Sequence, residues 1–102
     1  MARVGFRMNL KPGNEAEYKK RHDEIWPELT RLLHDTGIRN YTIFRDGLTL
    51  FAYLEIDDPA ALDELPGYEL MRKWWVYMEP LMVYNDDSTP AVTMLEEAFH
   101  QD

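Results

Sequence analysis

The chain has 102 residues, with 11 Lys plus Arg against 19 Asp plus Glu and a formal net charge of −8. That length fits one domain, residues 1–102, and so acidic a surface repels phosphate backbones and anionic lipid, which argues against nucleic-acid and membrane partners. Cysteine is absent, which excludes disulfides, zinc ribbons and thiol nucleophiles; no apolar run reaches the roughly 18 residues that span a bilayer, the first residues do not read as a signal peptide, and a cytoplasmic protein is expected.

Val4, Phe6, Met8 and Leu10 alternate with Arg3, Gly5, Arg7 and Asn9, the period-two pattern of a half-buried strand. Lys11-Pro12-Gly13 breaks it, and Asn14 with Glu17 predicts a capping box at a helix start. Tyr18, His22, Ile25, Leu29, Leu32 and Leu33 then share one helical face. One helix is expected to run on to Gly37, bent near Trp26-Pro27 because Pro27 cannot donate its backbone hydrogen bond. Ile38–Arg45 and Leu48–Ile56 follow, joined by Asp46-Gly47, a strong hairpin signal. A two-residue Asp-Gly loop pairs Arg45 with Leu48, Ile43 with Leu50 and Tyr41 with Ala52, and puts Tyr41 on the face that helices should cover. The reverse face, with Thr42, Phe44, Phe51 and Tyr53, is too aromatic to lie bare in water and suggests a second subunit.

Asp58-Pro59 predicts a short capped helix over 59–65, and a second helix is expected from Tyr68 to about Met82. Its apolar stripe reads Met71, Trp75, Met78 and Met82, with Trp74 at the edge. The segment 85–90 is turn-forming, and residues 91–99 can make a last strand. The order βαββαβ predicts an α+β, ferredoxin-like sandwich with an antiparallel four-stranded sheet and helices on one face.

Among three histidines, only His22 lies on an apolar helix face, one turn from Tyr18. Burial there opposes the charged imidazole and a nearby carboxylate favours it; a structural histidine and a catalytic one both fit. Adjacent Trp74 and Trp75 diverge by about 100° on a helix. They can offer flat apolar walls and indole donors to a sugar or another amphipathic ligand, or divide between core and interface. No metal-ligand spacing, phosphate-cradling glycine loop or nucleophile elbow is present. Cofactor-free proton chemistry by side chains, or ligand binding alone, is what remains.

Tyr18-x-x-x-His22, Ile25-Trp26-Pro27-Glu28-Leu29, Asn40-Tyr41-x-Ile43, Trp74-Trp75-x-x-Met78 and the acidic loop ending at Pro90 together resemble the L-rhamnose mutarotase family over nearly the whole chain. The resemblance implies a dimeric α/β-barrel in which two ferredoxin-like subunits associate through their sheets. It also implies a cofactor-independent isomerase with a small sugar substrate, His22 as proton donor, and Tyr18, Tyr41, Trp74 and Trp75 as sugar-binding residues, with neither metal nor cofactor. The loop here, Asn85-Asp86-Asp87-Ser88-Thr89-Pro90, departs from the family's usual Asn-Pro-Asp-Asn-Ser-Pro and leaves the preferred sugar open. Two alternatives share the expected fold: a cofactor-independent monooxygenase of the dimeric barrel type, and a non-catalytic small-ligand-binding module.

Overall fold

The computed structural model describes residues 1–102. The elements are β1 (Ala2–Asn9), α1 (Glu15–Asp23), α2 (Pro27–Asp35), β2 (Ile38–Asp46), β3 (Thr49–Ile56), a 3₁₀ segment (Pro59–Gly67), α3 (Glu69–Met78), a 3₁₀ turn (Glu79–Leu81) and β4 (Thr93–Leu95). The sheet order is β2-β3-β1-β4, antiparallel throughout, which is the ferredoxin-like α+β arrangement. Strand alternation sends Met8, Leu50 and Ala52 into the core, where Leu29 of α2 and Met71, Trp74 and Met78 of α3 meet them, and sends Leu54 and Ile56 into a second cluster with Ile38. No helix is long and apolar enough to cross a membrane.

The expected continuous helix is instead two helices. Proline disfavours helical backbone in the residue before it, and Trp26 is extended at φ −62°, ψ 128°. Pro27 thus starts α2, where its missing N–H costs nothing. The capping box does not form: Asn14 makes no side-chain cap bond, and its amide donates to the Lys11 and Pro12 carbonyls instead. Gly37 ends α2 as expected, at φ +98°, a conformation that penalises side chains with a Cβ.

The hairpin register is displaced by two residues from the expected one. The loop is Gly47-Leu48, and Asp46 pairs with Thr49, Arg45 with Leu50 and Ile43 with Ala52. Gly47 has φ +61° and Leu48 is not left-handed, so the glycine takes the first central position, as type II′ turns prefer. A slip of two keeps every side chain on its expected face. Further along, the pairing shifts between Arg39 and Thr42: an extra residue bulges there, with Asn40 left-handed at φ +52°. Such a bulge interrupts alternation, and Ile38 and Tyr41, three apart, both turn toward the helices.

Asp58 caps the 3₁₀ segment by accepting from the Ala60 N–H, and that segment runs on to Gly67. The second long helix stops at Met78, short of the expected Met82. Pro80 has no N–H to offer the Val76 carbonyl, and the Glu79 N–H takes that acceptor, tightening the chain into a 3₁₀ turn. The two tryptophans reverse their expected places: Trp74 is buried with Met71 and Met78, and Trp75 is half-buried. The last strand is only three residues long, and the tail beyond it is tied to β1 by the Arg3–Glu97 ion pair at 2.9 Å.

Candidate active site

A cavity of about 640 Å³ opens between α1, α2 and the edge strand β2, floored by Leu50 and closed by Trp74. The helix break and the bulge both shape it. The break ends α1 one residue after His22, and the bulge puts Tyr41 on the cavity side while Ile38 stays in the core. Ala52, small and buried between the flanking strands, leaves room for the Tyr41 and Phe6 rings to pack 6.2 Å apart.

His22 lies at the centre of an aromatic frame. Its ring is 4.3 Å from that of Tyr18 at a shallow 33° tilt, and 5.4 Å from Trp74 in an edge-on contact. Its Nδ1 is 3.1 Å from the Tyr18 carbonyl oxygen; because a carbonyl only accepts, Nδ1 carries the hydrogen. Burial holds the imidazole below its ordinary value, against the opposing pull of that carbonyl and the nearby Asp23 carboxylate. Burial also pushes the Tyr18 phenol well up, with Tyr41 and Tyr84 adding to the shift. Tyr41 is 40% exposed, yet burial pushes its phenol up to about 12; the ring flank meets solvent and the hydroxyl end lies inside. Both tyrosines are therefore uncharged hydrogen-bonding groups near neutral pH.

Four of the five residues singled out from the sequence, Tyr18, His22, Tyr41 and Trp74, line this one cavity. Trp75 does not. Its ring packs against the core, and its backbone carbonyl accepts a 2.8 Å hydrogen bond from the Tyr84 hydroxyl. Periodicity did not find the layer behind Trp74. Trp26 meets Trp74 edge-on at 5.0 Å and lies 5.5 Å from Tyr77. Arg21 stacks over the Tyr77 ring at 4.1 Å, pairs with Glu17 at 2.7 Å and donates to the Tyr77 carbonyl. These contacts fasten α1 to α3 behind the His22–Trp74 pair; the one available signal was the Trp-Pro junction itself, which had to turn an indole out of the helix. No group of three His, Asp or Glu side chains converges in metal-holding geometry.

Residues 3–101 match the sequence profile of a family described as L-rhamnose mutarotase. An L-rhamnose mutarotase of Listeria monocytogenes is 47% identical over 102 residues, covering 98% of each chain. The crystal structure of an L-rhamnose mutarotase from Formosa agariphila superposes with a TM-score of 0.92 at 38% identity, covering 100% of both chains. The tetracenomycin F2 cyclase of Streptomyces glaucescens, a type-II polyketide cyclase, gives 0.64 at 16% identity over 99% of this chain and 96% of its own, a likeness of fold alone.

Proposed function

The chain belongs to the L-rhamnose mutarotase family, and from that membership we infer that it is a carbohydrate isomerase interconverting the α and β anomers of L-rhamnose. Mutarotation opens the pyranose to its aldehyde, turns the carbonyl face by rotation about C1–C2, and recloses the ring. Nothing is oxidised and no group is transferred, so the reaction consumes no cofactor. What it needs is a proton moved between the ring oxygen and the anomeric oxygen in a site that holds the sugar.

The observation that supports this reading for the cavity is His22, held between Tyr18 and Trp74 by a hydrogen bond at one nitrogen and facing the open volume with the rest of its ring. His22 gives a proton to the ring oxygen as it leaves C1. Proton transfer by a positioned side chain is worth roughly 10²–10⁴ in rate. Tyr18 and Tyr41 donate hydrogen bonds to sugar hydroxyls. Trp74 covers the apolar sugar face that includes the 6-methyl group; the resemblance also names Trp75, but its ring lies outside this cavity, against the core.

The family resemblance pairs two subunits through their sheets. Phe44 at 66% and Phe51 at 39% exposure lie opposite each other on the uncovered face, which supports a homodimer closed there. The same reading puts the enzyme in the cytoplasm.

Saturation-transfer NMR on L-rhamnose at equilibrium tests the assignment. The protein accelerates anomer exchange, and His22→Ala abolishes most of the acceleration while sugar binding stays detectable by tryptophan fluorescence. Undiminished exchange in that variant removes His22 from the chemistry.

A further inference from the structure

Mutarotation requires a base as well as an acid, because the anomeric hydroxyl must lose its proton as the ring oxygen gains one. The cavity holds few groups able to accept it. Asp23, at the mouth, is held by Lys19 through both carboxylate oxygens, at 2.9 and 3.2 Å. Glu15 accepts from the Gly13 N–H at 3.0 Å. Arg39 and Arg45 are cations and only donate, and the phenols of Tyr18 and Tyr41 keep their protons through burial. His34, at the outer end, is 64% exposed beside Asp35.

One acceptor inside is uncommitted. Since the His22 Nδ1 hydrogen is given to the Tyr18 carbonyl, a neutral ring leaves Nε2 with a bare lone pair, and no protein group bonds to it. We propose that His22 Nε2 is the missing base as well as the acid, shuttling one proton between the two oxygens bonded to the anomeric carbon. This rests on the mutarotase reading and assigns a step that reading leaves open.

The step balances within sugar and imidazole. Nε2 takes the proton of the anomeric hydroxyl, and the electron pair of that O–H bond becomes the second C–O bond of the aldehyde. The bond from C1 to the ring oxygen breaks, its pair passing to the ring oxygen, which takes the proton from Nε2. After rotation about C1–C2 the sequence runs backwards to the other anomer, and the imidazole ends neutral, as it began. Both oxygens are attached to one carbon, so a single nitrogen serves both with a small tilt of the ring. The Nδ1–carbonyl bond is kept throughout and steadies the transient imidazolium. A resting imidazolium, by contrast, has no lone pair and needs a separate base.

Two measurements on the full-length protein test this. In ¹⁵N-labelled protein at pH 7.5, long-range ¹H–¹⁵N spectra should show His22 as the neutral tautomer with hydrogen on Nδ1; hydrogen on Nε2, or on both nitrogens, overturns the proposal. The background-corrected exchange rate on L-rhamnose should be flat above neutrality and fall about tenfold per pH unit below the His22 inflection as Nε2 fills. The inflection should persist in Asp23→Asn and in His34→Gln, which remove the carboxylate that acts on the ring and the cavity's second histidine; the ionisable groups then left around the cavity are Glu15, Tyr18 and Lys19 of α1 and Arg39, Tyr41 and Arg45 of β2. A rate that instead rises toward acid and falls above the inflection overturns the shuttle while leaving the mutarotase reading intact. Wild-type protein that accelerates no anomer exchange at any pH overturns that reading itself.

Discussion

The bulge at Asn40 makes a graded prediction about stability. Asn40 is left-handed at φ +52°, a conformation that costs an ordinary L-residue about 1–2 kcal/mol, that Asn tolerates better and that Gly accepts freely. Its side-chain amide also donates to Glu55 at 3.0 Å. Asn40→Gly, Asn40→Ala and Asn40→Val all lose that bond, so it cancels when the three are compared with one another. Glycine gives back about 0.4–1 kcal/mol through the greater freedom of its unfolded chain. Alanine should therefore be less stable than glycine by about 0.5–1 kcal/mol, and β-branched valine by about 2 kcal/mol. For a chain of this size each kcal/mol moves Tm by about 4–8 °C. Thermal unfolding followed by circular dichroism reads the series directly, in the order Gly, Ala, Val from highest to lowest. Alanine matching or exceeding glycine refutes the left-handed bulge. Deleting residue 40 is the harsher form: uninterrupted alternation then cannot turn Ile38 and Tyr41 to the same side, so the variant loses either core packing or sugar binding.

Leu29→Ala removes a side chain only 1% exposed and should cost about 2–5 kcal/mol in urea unfolding; a loss below 1 kcal/mol means that α2 is not seated on the core as described. His22 binds its proton less readily folded than unfolded, because burial lowers it from about 6.5. The unfolded chain then holds more protons just below pH 6.5, so stability falls as pH drops through that window and levels once the folded imidazole also titrates. Urea unfolding from pH 7.5 to 5 should show wild type losing ground to His22→Gln, and parallel curves count against the buried neutral ring. Phe44→Glu with Phe51→Glu places like charges on the uncovered sheet face and should convert a homodimer into monomers by sedimentation velocity. An unchanged sedimentation coefficient argues against closure through that face.

Alternation and turn residues carried the sheet from sequence to structure because a strand's two faces differ in burial whichever partner it takes. The hairpin shows the limit of that logic. Asp46-Gly47 marks a turn without saying which two residues form it, and the choice of Gly47-Leu48 moved the register by two while sparing every face. The bulge escaped for a different reason. Asn40 differs from any other exposed asparagine only through the pairing around it, and Ile38 reads as a residue on the face opposite Tyr41 until that extra residue is counted. Pro27 pointed to a disturbance, but the stronger restraint fell on Trp26, so a bend became a break. Between Trp74 and Trp75, spacing from Met71 and Met78 admits either one to the core, and packing against Trp26 and His22 selects Trp74. The shared layer of Tyr18, His22 and Tyr41 was legible because helix and sheet periodicity aim them at one another, whereas their roles came from the family resemblance.

Apart from Leu50 and Trp74, every side chain bordering the cavity lies between residues 15 and 45, a stretch that begins and ends at turns. Ligand preference can thus be exchanged as a single cassette. Grafting residues 14–46 from one relative onto the remaining scaffold of another carries the pocket wall across with two splice points, both at Gly-containing turns on the surface. The recipient need supply only a leucine beneath it and one indole from α3.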